Sequence, residues 1–355
     1  MSPGAIDKRI VDGLYRSAIE VAQLLARAAM GDKSNIEWTD ATWNPTYGCT
    51  RVSEGCRNCY AERFVHRFAG EGQRYEGLTV IRGGRPGWTG KIQLAPERLD
   101  QPLRWQRPRR IFVNSLSDVF HEGIPFEYVA AIFGVMAMSS RHTFQVLTKR
   151  PERAREFFAW LEGKQMADLY KADLCIEHAS SHGVEDRLIK RDELSGVVWP
   201  LKNVWLGVSV EDQAAADSRI PILLEMPAVV RWISAEPLLG PLDLRDYLKA
   251  DGMPDRIVTP GSVPVTYTNV VGLDWVIGGG ESGPGARGME SEWVSSLHDQ
   301  CDGSTALFHF KQWGLLSNNP DPKDPTAKKN GGGVKGGRQF LGRTWDDEPG
   351  LLNAP

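Results

Sequence analysis

The chain has little of three things, and each shortage excludes something. Only five cysteines occur in 355 residues, too few for a small secreted fold stapled by disulfides. No run approaches about 18 apolar residues, so nothing reads as a membrane-spanning helix. There is no strong excess of either charge: the formal net charge is −3. That removes the bulk electrostatic argument for a polyanion-binding protein, although a local patch remains compatible with it. The N-terminus also shows no charged, then apolar, then small-residue signal pattern. These absences set the expectation of a cytoplasmic protein with no membrane partner.

What is present is unevenly placed. Three of the five cysteines, Cys49, Cys56 and Cys59, fall within eleven residues in Gly48-Cys49-Thr50-Arg51-Val52-Ser53-Glu54-Gly55-Cys56-Arg57-Asn58-Cys59-Tyr60. Three thiols cannot all pair as disulfides with one another. They suit a soft metal or an iron–sulfur cluster. A structural zinc takes four protein ligands, whereas a reactive centre keeps one position open. Two assignments follow. One is a [4Fe–4S] cluster on three thiolates with one open iron. The other is zinc, with His66 or a carboxylate as fourth ligand. Cys175 and Cys301 read as ordinary buried thiols.

Past residue 34, short β-rich runs end in polar or glycine-bearing tips. They are Ile36 to Asn44, Lys91 to Leu94, Arg110 to Ser115, Phe144 to Leu147, Val204 to Val208, Val229 to Ile233, Leu273 to Ile277 and Ala306 to Phe310. Helical patterns lie between most of them, at Tyr128 to Met136, Pro151 to Leu161, Ala214 to Leu224 and Glu290 to Cys301. Alternation at βαβ spacing predicts a parallel α/β sheet, and about eight strands predict a (β/α) barrel, complete or partial. Trp205, Trp232 and Trp275 read as core or barrel-wall residues. Residues 1–33 read as an N-terminal helical extension, 34–317 as the barrel, and about 163–200 and 243–271 as insertions. Residues 318–355 read as a partly mobile tail, mobile over 319–337 and docking through Phe340 to Trp345.

A parallel barrel carries its site at the carboxyl ends of its strands. Asn114, Ser115, Asp118, Thr148, Lys149, Ser209, Glu211, Ser234, Glu236, Glu281 and Lys311 all sit at such ends, and Cys49 follows the first run. One mouth would gather thiolates, carboxylates, lysines and hydroxyls, a mixture suited to a polar organic ligand beside a metal centre. Gly278-Gly279-Gly280-Glu281-Ser282-Gly283 formally matches a dinucleotide fingerprint, but Pro284 and Gly285 spoil the helix that must follow. A loop packed against an adenine or ribose is the preferred reading. Arg98, Arg104, Arg107, Arg109 and Arg110, with Trp105 among them, read either as a phosphate-gripping patch or, preferably, as a solvated helix face.

Five stretches carry a family resemblance: Asn35 to Pro45, the three cysteines with Tyr60-Ala61-Glu62, Ser234-Ala235-Glu236-Pro237-Leu238, Gly279 to Arg287, and Lys311-Gln312-Trp313-Gly314. They resemble the phage gene product 37/gene product 68 group of three-cysteine-motif proteins. That group in turn resembles the radical S-adenosylmethionine superfamily, and distantly its spore photoproduct lyase branch. The superfamily's usual spacing is C-x3-C-x2-C, and here the first gap is six residues. The resemblance implies a radical-SAM-like partial barrel with a [4Fe–4S] cluster on Cys49, Cys56 and Cys59. It implies S-adenosylmethionine as co-substrate, bound by Tyr60, Asn114, Ser115, Thr148, Lys149, Ser209, Glu211, Ser234, Gly279 and Gly280. Thr148, Ser209 and Glu211 would hold its methionine or ribose end, while Glu236, Glu281 and Lys311 would face the substrate as catalytic residues. A reductant such as flavodoxin or ferredoxin is implied, as is a nucleic-acid base or nucleotide substrate in repair or modification. The alternative is a non-catalytic nucleic-acid-binding protein stapled by zinc or by a cluster.

Overall fold

The computed structural model describes residues 34, 36–164, 168–188, 197–249, 272–330 and 333–350. The expected N-terminal helix and most of the second expected insertion, residues 250–271, lie outside them.

Eleven strands precede the tail: β1 Ala41–Trp43, β2 Thr46–Tyr47, β3 Thr79–Arg82, β4 Arg85–Trp88, β5 Gln93–Leu94, β6 Arg110–Val113, β7 Thr143–Thr148, β8 Val204–Ser209, β9 Val230–Ala235, β10 Trp275–Gly279 and β11 Leu307–Gln312. Seven of them form one parallel sheet, in the order β1-β6-β7-β8-β9-β10-β11. Each strand therefore lies beside its predecessor within the sheet, as right-handed βαβ units dictate. Among the described residues β1 and β11 do not pair, and the sheet curls into part of a (β/α) barrel that stays open between them.

The pleat sorts side chains between two cores. Outward residues such as Leu206, Val208, Ile233, Ala235, Val276, Phe308 and Phe310 join one large apolar cluster under the helices Phe126–Met138, Pro151–Glu162, Gln213–Glu225 and Ser291–Asp302. Inward residues Phe112, Trp205, Trp232, Trp275 and Ile277 close around Trp38, which precedes β1. The Trp38 ring meets Phe112 at 4.9 Å and Trp232 at 5.3 Å, both edge-on, the favoured arrangement of ring quadrupoles. The amino-terminal half of the barrel interior is thus a tryptophan plug. Gly207 makes room for it, because a Cβ there would lie 2.5 Å from the Trp232 ring. Gly207→Ala should overpack this layer and lower stability by about 1–3 kcal/mol, read as a lower urea midpoint. An unchanged midpoint would contradict this packing.

One expectation is corrected: the run Lys91 to Leu94 is not a barrel strand. Only Gln93 and Leu94 are extended, and they pair antiparallel with β2, Thr46 facing Leu94. Pro96 then opens a 3₁₀ turn, which leaves no length for a sheet strand, so among the described residues the sheet has seven strands rather than eight. The stretch read as an insertion at 163–200 contains a helix, Asp168–Ser181, that packs on the Phe126–Met138 helix. Ala172, Cys175, Ile176 and Ala179 are its buried face. The two backbones meet at Gly134, where a Cβ would lie 2.1 Å from the Cys175 carbonyl oxygen. In the tail, Asp324 ties together residues on either side of it. Its buried carboxylate accepts hydrogen bonds from Asn319 at 2.9 Å, Thr326 N at 2.7 Å and Gln339 N at 3.0 Å. Phe340 and Trp345 dock on the last helix and β11, as expected, with the Phe310 N–H donating to the Trp345 carbonyl at 2.9 Å.

The arginine-rich stretch 98–110 is no open patch. Arg98 is buried, Arg104 pairs with Asp100, Arg109 lies over the Trp105 ring at 4.8 Å, and Arg110 pairs with Asp40 and Glu348. Arg110 begins β6, which puts it at the end of the barrel opposite the strand tips. Among the described residues no helix is long and apolar enough to cross a membrane.

Candidate functional site

The cysteine loop lies across the carboxyl ends of the strands, and its attachments explain why. At its start Gly48 has φ +89°, and a Cβ would fall 2.2 Å from the Lys91 carbonyl oxygen, so only glycine fits. Its N–H donates to the Leu116 carbonyl, beyond the tip of β6. Further on, Gly55 has no Cβ to meet the Glu211 carboxylate, which would otherwise lie 2.9 Å away. Near the loop's end Asn58 donates to Glu281 Oε2 at 2.9 Å and to the Gly285 carbonyl at 2.8 Å. Tyr60 Oη donates to the Ser115 carbonyl at 2.6 Å. The loop is therefore tied to the tips of β6, β8 and β10.

Each thiol has its own setting. Cys49 is half-buried, and Arg150 Nη1 lies 3.7 Å from its sulfur. Burial, then the Asp118 charge, push the Cys49 thiol up to about 12 against the pull of Arg150. Cys56 closes a 3₁₀ turn, Glu54–Cys56, with Ser53 Oγ 4.0 Å from its sulfur. Cys59 caps the helix Tyr60–His66. Burial raises its pKa, opposed by the first backbone N–H groups of that helix, from Glu62 and Ala61. Cys49 and Cys59 sit in each other's field, as do Cys59 and Cys56. Among the described residues no three His, Cys, Asp or Glu side chains stand close enough together to enclose a metal ion. As a donor set the loop offers soft thiols and a guanidinium beside one of them, the ligand type that soft metals take. Metal binding by these thiols would release their protons. His66, the candidate fourth zinc ligand, has its Nδ1 3.1 Å from Thr79 Oγ1 on β3.

The mouth beside this loop is polar where the interior below is aromatic. Lys311 Nζ meets Glu236 Oε2 at 2.6 Å, and Gln312 Nε2 lies 3.5 Å from the other Glu236 oxygen. Ser209 and Ser234 are buried partners in register on β8 and β9.

Over residues 33–349 the chain matches the profile of a family described as Protein of unknown function (DUF5131). The chain belongs to the DUF5131 family. No curated protein and no solved structure matches it.

In this DUF5131 chain the residues expected at the mouth divide by what engages them. Glu236 and Lys311 come together there. Glu281 does not join them: it accepts from Asn58 and, at 2.7–3.0 Å, from the Arg287 backbone and guanidinium. Burial would raise its pKa, but Arg287 and Asn58 outweigh that and hold it low. Glu211 is committed to Arg219, Oε2 to Nη1 at 2.9 Å, with both side chains buried. Thr148 donates to Asp118 Oδ1 at 2.8 Å, and the Lys149 backbone N–H donates to Asp118 Oδ2 at 3.0 Å. Asn114, at φ 61°, donates to Thr46 Oγ1, and Ser115 Oγ exchanges hydrogen bonds with Asn44. Gly280 is a glycine for internal reasons, since a Cβ would lie 2.3 Å from the Trp313 carbonyl oxygen. Gly279 has the roomier position, with Lys311 Cβ at 3.3 Å from a Cβ built there. Much of the polar rim therefore anchors the loop.

Two residues were missed as site members, Asp118's partner Arg150 and Asn58. Arg150 is buried, bonds both Thr50 Oγ1 (2.7 Å) and the Thr50 carbonyl (3.0 Å), and pairs with Asp118 at 3.3 Å and Glu122 at 3.2 Å. Its position before Pro151, the first residue of a helix, was the available signal. A charged residue between a strand tip and a helix start points into the mouth region.

Proposed function

We infer that this protein is a radical S-adenosylmethionine enzyme of the cytoplasm, acting on a nucleic-acid base or nucleotide. One observation carries the reading: the loop with three thiols lies across the carboxyl ends of a curled, parallel sheet, where such a fold does its chemistry. Cys49, Cys56 and Cys59 would hold a [4Fe–4S] cluster with one open iron. When bound, that cluster and S-adenosylmethionine supply a 5′-deoxyadenosyl radical able to remove a hydrogen atom from the substrate, an electron coming from a flavodoxin or ferredoxin.

The chain's own residues supply the rest. Arg150 places positive charge beside the Cys49 sulfur and fixes Thr50, which steadies the start of the loop. Glu211 with Arg219, and Glu281 with Arg287 and Asn58, clamp its middle and end. Ser209, Ser234 and Gly279 would line the wall toward an adenosyl group. Glu236 and Lys311, paired across the mouth, present a carboxylate and an ammonium to polar groups of a substrate. The tryptophan plug seals the floor against water.

The test is reductive cleavage. Anaerobic protein reduced with dithionite should convert S-adenosylmethionine to 5′-deoxyadenosine and methionine, measured by chromatography. No 5′-deoxyadenosine from iron-loaded protein, with nucleotide and oligonucleotide substrates supplied, would contradict the reading.

A further inference from the structure

The hairpin β3–β4 stands beside the cysteine loop, and the two enclose a cleft of about 420 Å³. Four arginines line it: Arg51 and Arg57 from the loop, Arg82 and Arg85 from the hairpin tip. Only Arg51 is well neutralised, by a two-point pairing with the buried Glu62 at 2.8 and 2.5 Å. Arg57 meets the exposed Glu54 no closer than 3.9 Å. Arg82 and Arg85 are exposed and have no ion pair among the described residues. Residues 51–91 hold seven arginines and one lysine against four glutamates, a surplus of four positive charges in a chain whose net charge is −3. Four of those arginines meet at this cleft, while Arg110 lies at the far end, where β6 begins.

A second feature adjoins the first. Tyr60, Phe64 and Phe68 follow each other at four-residue spacing along the helix Tyr60–His66 and its closing turn, with Arg63 and Arg67 between them. Residues spaced this way share a helix face. All three rings are exposed, by 54%, 41% and 48%, and Phe64 and Phe68 are 5.4 Å apart. The stripe begins at the mouth, where Tyr60 reaches the tip of β6. A row of exposed aromatics interleaved with arginines, beside a cleft whose Arg82 and Arg85 have no ion pair among the described residues, matches the needs of one ligand class. Bases stack on the rings, and phosphates meet the guanidinium groups. An acidic peptide would satisfy the cleft and leave the rings without partners.

We propose that the arginine cleft and the Tyr60–Phe64–Phe68 stripe together bind single-stranded polynucleotide and present one nucleotide to the barrel mouth. The presentation rests on the radical-enzyme reading; the binding does not. The arginine cleft takes the backbone on one side of the presented nucleotide, and the aromatic stripe takes the bases on the other.

Fluorescence anisotropy of a labelled 20-nucleotide oligothymidylate, titrated with the full chain at several salt concentrations, tests the surface without reductant or S-adenosylmethionine. The wild-type protein should bind, with affinity falling as salt rises. Arg82→Ala with Arg85→Ala should weaken binding about tenfold or more at low salt and flatten the log–log salt slope by about 1.4, the loss of two single-strand phosphate contacts. Phe64→Ala with Phe68→Ala should weaken binding by about tenfold through lost stacking, with little change in slope. Arg104→Ala with Arg107→Ala, outside the cleft, should change neither. All these side chains are exposed, so circular dichroism of the variants should match wild type. No binding by the wild-type chain, or equal loss from the pair outside the cleft, overturns the proposal. So does competition by inorganic phosphate as effective as that by oligonucleotide at equal phosphate concentration, which would leave an anion cleft alone. Oligonucleotide binding without 5′-deoxyadenosine formation sinks the radical reading and spares the surface. Cleavage of S-adenosylmethionine without oligonucleotide binding does the reverse.

Discussion

Changing Cys56 to alanine should abolish reductive cleavage of S-adenosylmethionine while leaving the barrel folded. Even the outer partners of metal ligands are worth about 10–100-fold in metal affinity or activity, so loss of one of three cluster ligands should cost at least about 100-fold. The fold should be indifferent. Cys56 is only half-buried at the end of a 3₁₀ turn, and no helix or strand depends on its sulfur. A substitution of this kind usually changes stability by no more than about 0.5 kcal/mol. The urea midpoint of Cys56→Ala should therefore match wild type while the iron content and the 5′-deoxyadenosine yield collapse. Cys301→Ala supplies the contrast. That thiol is buried under the Ser291–Asp302 helix, its pKa pushed up to about 12 by burial alone, and its loss should leave iron content unchanged. Full cleavage activity in Cys56→Ala would remove the loop from the chemistry.

The second large effect is structural. Arg219→Met should destabilise the protein by about 3–5 kcal/mol, because it strands the Glu211 carboxylate in a buried position. The Arg219 and Glu211 side chains are 9% and 2% exposed, and Arg219 also donates to the Ser209 carbonyl at 2.6 Å. Burial alone would raise the Glu211 pKa, yet hydrogen bonding to Ser53 and the charges of Arg219 and Lys149 hold it low. Glu211 therefore stays ionised at neutral pH and needs its partner. The diagnostic is the double variant. Glu211→Gln in the Arg219→Met background removes the stranded charge and should recover a large part of the loss in urea unfolding. If Arg219→Met costs less than about 1 kcal/mol, water or a neighbouring cation is solvating Glu211 and the buried clamp is not what holds Gly55.

Much of this architecture was legible because strands in parallel sheets are buried on both faces and read as short, dense apolar runs. Val204 to Ser209 and Trp275 to Gly279 could be seen for that reason, and Pro151 marked a helix start directly. The run at Lys91 failed because four apolar-rich residues say nothing about which sheet they join, and Pro96 cut the run short. The Asp168–Ser181 helix was passed over because its buried face is built from small residues, Ala172, Cys175 and Ala179, which carry little periodic hydrophobicity. Strand tips correctly pointed to one end of the barrel. They did not show that Glu211 and Glu281 would be spent on Arg219 and Arg287, since a partner eight or six residues away on a loop or helix leaves no pattern. The arginines of 98–110 read preferably as a solvated helix face, and composition could not show that Arg98 is buried or that Arg110, opening β6 at its amino end, pairs with Asp40 and Glu348.

The most direct test is metal and sulfide analysis of the full chain purified without oxygen. A [4Fe–4S] centre on Cys49, Cys56 and Cys59 predicts brown protein with about four iron and about four sulfide per chain, lost together in Cys56→Ala. Colourless protein carrying about one zinc and no sulfide, a tetrahedral structural site, would contradict the account at its centre.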